Sequence, residues 1–332
     1  MGKVETRSCR SRAHPSLALA KYWGKRTGGI NIPATTSVAV TLEALTTTTT
    51  VQVHPCPEGA RPGDRVMLDG EVQEARRFRP FFEELRAIAG VRSLPGDSCF
   101  TVDSMNDFPT AAGLASSASG FAALATAALA ALSGTANPEE VSRLARIGSG
   151  SACRSVYGGF TRWEAGSERA VQVRDETWWP DFRVVVLPVT VEAKAVTSRE
   201  GMNRTRDTSP FYDAWVGDAP RLAGEVERAL EERDLERLGT AARLSYLRMF
   251  ATMLGAEPPL LYWLPRSVEI IRELARLRSR GIPAWETMDA GPQVKVLTDR
   301  IHAPLVVETF SELLSLPAIV SGPGPGASVE SL

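Results

Sequence analysis

Phe182 to Val189 form an almost unbroken apolar stretch, the pattern of a strand buried on both faces. The run Thr46 to Thr50 continues into Val51-Gln52-Val53, and β-branched residues at that density favour a strand. With Ser37 to Leu42 before it, the pattern predicts an early antiparallel pair. Cys99 to Ser104 predicts a further strand, and Gln73 to Ala89 a helix that Pro80 should break or kink. A small-residue helix is expected from about Gly113 to Ser133. Asn137-Pro138-Glu139-Glu140 then supplies a cap, a proline for the first helical position and a glutamate at the third, and the helix ends at Gly148. Farther on, helices are expected over Arg221–Arg233, Leu235–Leu254 and Ser267–Arg280. Two short strands, Ala284–Met288 and Gln293–Leu297, should flank an Asp-Ala-Gly-Pro turn. The composition shifts near 188–205, dividing an N-terminal domain, 1–188, from a C-terminal one, 189–332. The class is α+β, two layered halves with a cleft between them.

The 332 residues suffice for two domains or one large one. Lys and Arg number 38 against 39 Asp and Glu, which argues against a nucleic-acid binder needing a concentrated basic face. Four cysteines (Cys9, Cys56, Cys99, Cys153) lie far apart with no C-x-x-C pair, and reduced thiols in a cytoplasmic protein are the simplest expectation. His14, His54 and His302 are the only histidines, too few for a His-rich metal site. The apolar run Phe121–Leu132 is interrupted by Thr126 and too short to span a bilayer, so no membrane association is expected. Met1 to Thr6 fits a myristoylation pattern so loose that no anchor is assigned from it.

Four segments carry candidate chemistry. Pro109 to Gly120 is built of small residues except Leu114 and opens the apolar helix; such a loop offers free backbone N–H groups and a positive dipole end to a phosphate. The hydroxyls of Ser116 and Ser117 suit a phosphate or its Mg²⁺, although the spacing is not that of a Walker A loop. Taken alone, the stretch fits a close-packed Ala/Ser helix equally well. Gly148 to Ser155 is a second small-residue turn, in which Arg154 suits a bidentate grip on a carboxylate or phosphate; taken alone, it is also a loop with a surface arginine. Lys21 to Arg26 holds three cations and two aromatics, a pattern shared with solvated charge runs. Asp289 is a lone acid in an apolar setting, which a turn aspartate bonded to its own backbone would also explain.

Together these segments resemble the diphosphomevalonate decarboxylases of the GHMP kinase superfamily. That family's Ala-Leu-Ile-Lys-Tyr-Trp-Gly-Lys motif reads here Ala18 to Lys25, its glycine–serine ATP loop Pro109 to Ser119, its Gly-Ser-Gly-Ser-Ala-x-Arg-Ser motif Gly148 to Ser155, and its Met-Asp-Ala-Gly-Pro-x-Val-Lys motif Met288 to Lys295. The likeness touches Ser198-Arg199 and Pro258-Pro259 as well, and spans most of residues 10–300. It implies a two-domain GHMP kinase-like fold with the active site in the cleft between the domains, ATP and Mg²⁺ as cofactors, and a homodimer. The implied reaction phosphorylates the 3-hydroxyl of mevalonate 5-diphosphate and then releases phosphate and carbon dioxide, giving isopentenyl diphosphate and ADP.

By the same resemblance, Asp289 is the base or orienting group for the 3-hydroxyl, Lys21 stabilises the transferring phosphoryl and Arg154 holds the substrate carboxylate. Ser117 with Ser116 positions the ATP phosphates and Mg²⁺, with Pro109, Ala112, Gly113, Leu114 and Ala115 completing the nucleotide loop. Tyr22, Trp23, Lys25, Ser149, Gly150, Ser151, Ser198 and Arg199 line the substrate site, most of them around its diphosphate. The chain departs from the family pattern at Pro15-Ser16, at Thr35-Thr36, at Phe250 where the family has histidine, and at Gln293 where it has asparagine. Those departures bear on substrate preference, with mevalonate 5-phosphate as the nearest rival substrate. A catalytically silent nucleotide-binding paralogue is the rival from another class, and the presence of Lys21 and Asp289 speaks against it.

Overall fold

The computed structural model describes residues 6–56, 63–91, 98–108, 116–192 and 194–330. The N-terminal half contains β1 (Arg7–Ala13), β2 (Ser16–Ala20), β3 (Ser37–Thr41), β4 (Thr47–Pro55), β5 (Arg65–Leu68), β6 (Glu71–Val72), α1 (Arg79–Val91), β7 (Ser98–Asn106), α2 (Ser116–Ser133), α3 (Pro138–Gly148), β8 (Phe160–Trp163) and β9 (Val171–Arg174). There follow β10 (Phe182–Leu187), α4 (Ser198–Thr208), α5 (Tyr212–Glu232), α6 (Leu235–Leu254), α7 (Pro265–Ser279), β11 (Trp285–Thr287), β12 (Val294–Asp299), α8 (Ala303–Phe310), β13 (Ile319–Ser321) and β14 (Ser328–Glu330). Three sheets result, ordered β14-β1-β4-β7-β5-β6, β2-β3-β8-β9 and β11-β12-β10-β13.

Strand β4 shows how the first sheet forms. Its β-branched residues alternate, with Thr47, Thr49, Val51 and Val53 buried, and this face packs on α2. Alanines let α2 approach closely enough for Ser11 Oγ to donate to Ala123 O at 2.6 Å and Thr47 Oγ1 to Ser119 Oγ at 2.7 Å. Although α2 is long and apolar enough to cross a membrane, most of it is buried in this core. Asn137 caps α3 as expected, its side chain accepting from the N–H groups of Glu139 and Glu140. Where α3 ends, a Cβ on Gly148 would lie 2.0 Å from the Phe121 ring, so only glycine fits.

The middle sheet joins the halves. Leu17, Leu19, Val38, Val40 and Phe160 share one apolar cluster with Phe182 and Val184 of β10 and with Val226, Leu230, Leu238 and Ala242 of α5 and α6. A second cluster in the C-terminal half encloses Trp23 from the N-terminal one. The turn between the paired β11 and β12, with Glu286 opposite Val296, carries Asp289 into this junction.

Several expectations change. Strands β3 and β4 are not partners: β3 pairs with β2 and β8, and β4 with β1 and β7. All five residues of β3 are buried, which fits a strand covered on both faces, and the connection after it crosses between sheets. The stretch expected as one helix from Gln73 is broken before Pro80, as the proline predicts: a single 3-10 turn covers Ala75–Arg77, and α1 begins afresh at Arg79, where the first turn needs no proline N–H. Strand β10 precedes 188, yet pairs with β12 and β13 of the C-terminal half. The glycine–proline tail is a turn into an edge strand: Gly324 exchanges hydrogen bonds with Thr41 and Gly159, and β14 pairs with β1.

The expectation of four reduced thiols is also corrected, since Cys56 and Cys99 form a disulfide while Cys9 and Cys153 are free. The β4–β7 register, with His54 opposite Cys99, brings together two residues 43 apart in the sequence. Closing a loop of that length limits the unfolded chain by up to about 4 kcal/mol. Cys99→Ser should therefore lower the unfolding free energy by up to that amount, and dithiothreitol should shift the wild type's denaturant midpoint but not the variant's.

Candidate active site

Lys21, Asp289, Lys295 and Arg154 converge between the halves. Lys21 directly follows β2, is 2% exposed, and donates from Nζ to Ala18 O at 2.6 Å and to Asp289 Oδ1 at 3.0 Å. Lys295 on β12 approaches the other carboxylate oxygen, Nζ to Oδ2 3.3 Å. Asp289 keeps a third of its side chain exposed, so the pair faces outward. Burial alone would raise the Asp289 pKa, but the ammonium groups of Lys21 and Lys295 hold it well below the usual carboxylate range. Burial pulls Lys21 down to about 8 against the opposing pull of Asp289, with Lys295 and Arg154 lowering it further.

The backbone around Lys21 is held by the C-terminal half. Lys21 N donates to Ser245 Oγ of α6 at 2.9 Å, and Trp215 Nε1 of α5 donates to Trp23 O at 3.0 Å. Trp23 Nε1 donates to Thr205 Oγ1 of α4 at 2.8 Å. Trp23 is 2% exposed with its indole N–H occupied, so its part in the site is to seat α4 against the Lys21 segment. Gly24, at φ +111, leaves no space for a Cβ, which would fall 2.1 Å from Tyr212 Oη.

Arg154 is 3% exposed and donates from Nη1 to Ser37 Oγ at 2.5 Å, while its Nε has no partner. Among the described residues it has no carboxylate within ion-pair distance. Tyr22 packs against Trp163 at a tilt of 56°, ring centroids 4.8 Å apart, and its buried hydroxyl is also unpartnered. The missing Cβ of Gly150 makes room for that hydroxyl. Buried polar groups without partners cost roughly 1–3 kcal/mol each, which marks both as groups a ligand would satisfy.

Ser117 in the first turn of α2 lies 3.3 Å, Oγ to Oγ, from Ser149, which lies 3.4 Å from Ser151. Three hydroxyls thus gather beside a helix N-terminus, a donor set suited to phosphate oxygens and to Mg²⁺ that keeps most of its ligands as phosphate and water. Ser116 shares that turn. Pro109, Ala112, Gly113, Leu114 and Ala115 lie outside the described residues. Lys25 donates to Asn31 Oδ1 at 2.6 Å; burial, then Arg199 and Arg206, bring its pKa to about 8. Arg199 is exposed at the start of α4, and Ser198 accepts a hydrogen bond from Lys194 at 2.7 Å.

Two cations escape the sequence reading. Lys295 closes a motif whose aspartate drew the attention, and β-strand alternation places both on one site only once the turn is built. Lys194 lies outside the recognised motifs; its Nζ donates to Ser198 Oγ at 2.7 Å and to Ala290 O at 2.8 Å, and is 5.8 Å from the Tyr262 ring centroid. Burial lowers its pKa to about 8, with Asp289 opposing and Lys295 assisting the shift.

Residues 13–174 match the diphosphomevalonate decarboxylase-like N-terminal domain, and residues 184–321 match the mevalonate 5-diphosphate decarboxylase C-terminal domain. The diphosphomevalonate decarboxylase of Ganoderma lucidum is 34% identical over 318 residues, 88% of this chain and 78% of its own; that of Danio rerio is 36% identical over 314 residues, 88% and 76%. A structure of MDDEF in complex with MVAPP, AMPPCP and magnesium superposes with a TM-score of 0.89 at 36% identity, covering 99% of this chain and 100% of that one. The mevalonate diphosphate decarboxylase of Staphylococcus aureus gives 0.90 at 35% identity, covering 98% and 99%. With family matches over most of its length and a cationic cleft built from the same motifs, the chain belongs to the diphosphomevalonate decarboxylase family.

Proposed function

We infer that this protein catalyses the ATP-dependent decarboxylation of mevalonate 5-diphosphate to isopentenyl diphosphate, with ADP, phosphate and carbon dioxide as the other products. The observation that carries this reading is Arg154, a buried guanidinium with a free Nε and no carboxylate partner among the described residues, beside the Lys21–Asp289 pair. A substrate carboxylate would complete it with the planar two-bond geometry that guanidinium favours.

ATP with Mg²⁺ supplies the phosphoryl group that turns the tertiary 3-hydroxyl into a leaving group; Ser117 and Ser116 are the side chains that would hold its phosphates, and Ser117 the one that would ligate the Mg²⁺. Asp289 accepts the 3-hydroxyl's hydrogen bond and aligns its oxygen. Its depressed pKa makes it a weak base, so its main contribution is orientation, with the proton taken late in a loose phosphoryl transfer. Lys21 and Lys295 stabilise the negative charge moving through the site. Arg154 holds the carboxylate in place as it leaves as carbon dioxide. No electron sink is required, because C3 becomes electron-poor as phosphate departs and the carboxylate's bonding pair fills the new alkene.

Tyr22, Lys25, Ser149, Ser151, Ser198 and Arg199 clasp the diphosphate. Lys25 and Arg199 bring cationic charge without an acid between them, and Arg206 adds to it although it also pairs with Asp207. That favours a diphosphate over a monophosphate, and kcat/KM on mevalonate 5-diphosphate should exceed that on mevalonate 5-phosphate in an assay following ADP and carbon dioxide together. A higher value on the monophosphate would reassign the substrate. A cytoplasmic homodimer belongs to the same reading, supported by the family's habit, and sedimentation tests the dimer.

Arg154→Lys keeps the charge but loses the fork, and should cost about 2–3 kcal/mol in kcat/KM; near-normal turnover would remove Arg154 from the carboxylate. Asp289→Ala should lower kcat by at least about 10³ with ATP affinity little changed. Asp289→Asn separates alignment from proton acceptance, and carbon dioxide release above about a tenth of the wild-type rate would assign Asp289 alignment alone.

The same asparagine variant has a stability signature. A buried ion pair broken on one side costs about 3–5 kcal/mol, and a third-exposed carboxylate reduces that to roughly 1–3. Because the folded Lys21 pKa is about 8, below its ordinary 10.5, the folded state sheds this proton first and stability gains with pH between those values. As pH rises through 8 the wild type loses its own Lys21 charge, so the deficit of Asp289→Asn should be largest near pH 7 and should narrow by pH 9 in urea titrations.

A further inference from the structure

Asn31 lies in the loop between β2 and β3 and is 5% exposed. Its backbone is left-handed at φ +56, a conformation that asparagine tolerates better than most side chains. Its amide is oriented by its partners: Nδ2 donates to Arg146 O at 2.8 Å and to Ile147 O at 3.1 Å, two carbonyls of the last turn of α3. A carbonyl oxygen in place of Nδ2 would face those acceptors, so Oδ1 must point the other way, toward Lys25 Nζ at 2.6 Å. Arg146 locks the arrangement from the other side, donating from Nη1 to Ile30 O and from Nε to Glu168 O. The loop is also paired with itself, Arg26 N to Ile32 O and Ala34 N to Gly24 O.

We propose that Asn31 is a positioning residue that aims the Lys25 ammonium at the substrate's diphosphate and ties it to the end of α3, from which Ser149, Gly150 and Ser151 emerge. The proposal rests on the assignment of Lys25 to the diphosphate made above. A lysine side chain is long and costly to order, and an exposed one would spend part of its attraction on becoming fixed. Asn31 supplies that ordering before the substrate arrives, and it does so with a neutral acceptor. A carboxylate at the same place would hold the ammonium equally well but cancel the charge meant for the phosphates. Arg199 and Arg206, within electrostatic reach, repel Lys25 and would otherwise turn it outward. The departures from the family pattern at Thr35 and Thr36 leave this arrangement untouched.

The test is a double-mutant cycle on KM for mevalonate 5-diphosphate. Asn31→Gly removes the amide while keeping the left-handed backbone accessible, and should raise KM about tenfold with kcat changed less than about twofold. Lys25→Met should raise KM by at least as much, and adding Asn31→Gly to it should raise KM no further, because Asn31 acts through Lys25. Asn31→Asp, which keeps the side-chain shape and supplies a carboxylate, should also raise KM and serves if the glycine variant folds poorly. If Lys25→Met raises KM while Asn31→Gly and Asn31→Asp leave it unchanged, or if the two effects simply multiply, Asn31 does not position Lys25 and the assignment of Lys25 stands. If Lys25→Met leaves KM unchanged, Lys25 is not a diphosphate ligand and the proposal falls with that assignment.

Discussion

The Lys21–Asp289 ion pair joins two parts of the chain that meet only when both halves are folded. Lys21 directly follows a strand of the N-terminal half, and Asp289 sits on a turn between two strands of the C-terminal sheet. Removing an ammonium from water is expensive, and a single carboxylate does not repay the cost for Lys21 and Lys295 together. The remaining support is geometric. Ser245, Thr205 and Trp215, one from each of three helices, fix the Lys21–Trp23 segment by hydrogen bonds, and Ala18 O accepts from the ammonium itself. A buried carboxylate, Glu286, holds α6, α7 and β11 together through Arg243, Arg278 and Tyr246, just before the turn that carries Asp289.

Electrostatically the cleft is unfinished. Around one carboxylate the fold gathers Lys21, Lys295, Lys194 and Arg154, and farther out Lys25 and Arg199. Lys21, Lys25 and Lys194 are all drawn toward a pKa near 8, since burial and like neighbours penalise their charge. On the proposed function an anionic substrate would relieve this, with a carboxylate at Arg154, phosphates near Lys25 and the serine hydroxyls, and a transferring phosphoryl beside Lys21. The stored repulsion would then become affinity for charge, concentrated where charge moves during the reaction.

Much of this was legible in the sequence because it was local. The cap at Asn137, the turn around Asp289 and the apolar strand at Phe182 each depend on neighbours in the chain. What failed was non-local. Nothing within Ser37–Val53 distinguishes a hairpin from two strands sent to different sheets, because the choice is made by β1, β2, β7 and β8. The Cys56–Cys99 bond depends on a strand register, and the assignment of β10 on partners more than a hundred residues away. The motif residues Lys21, Arg154 and Asp289 do come together in the structure, whereas Lys194, outside every motif, reaches that group only through the fold.

The departures from the family pattern acquire physical meaning from their surroundings. Gln293 accepts from Val189 N and donates to Thr190 O, both at 2.7 Å, so its side chain closes the backbone where β10 ends and helps to hold the strand that presents Lys295. Phe250 stacks on Trp263 at 5.2 Å and packs edge-on to Tyr246 and Tyr262, so its ring completes an aromatic cluster in the C-terminal half. Tyr262 in turn donates to Val196 O and lies beneath Lys194. Both substitutions therefore act on the scaffold behind the cations, which is why they coexist with an intact set of charged groups facing the cleft.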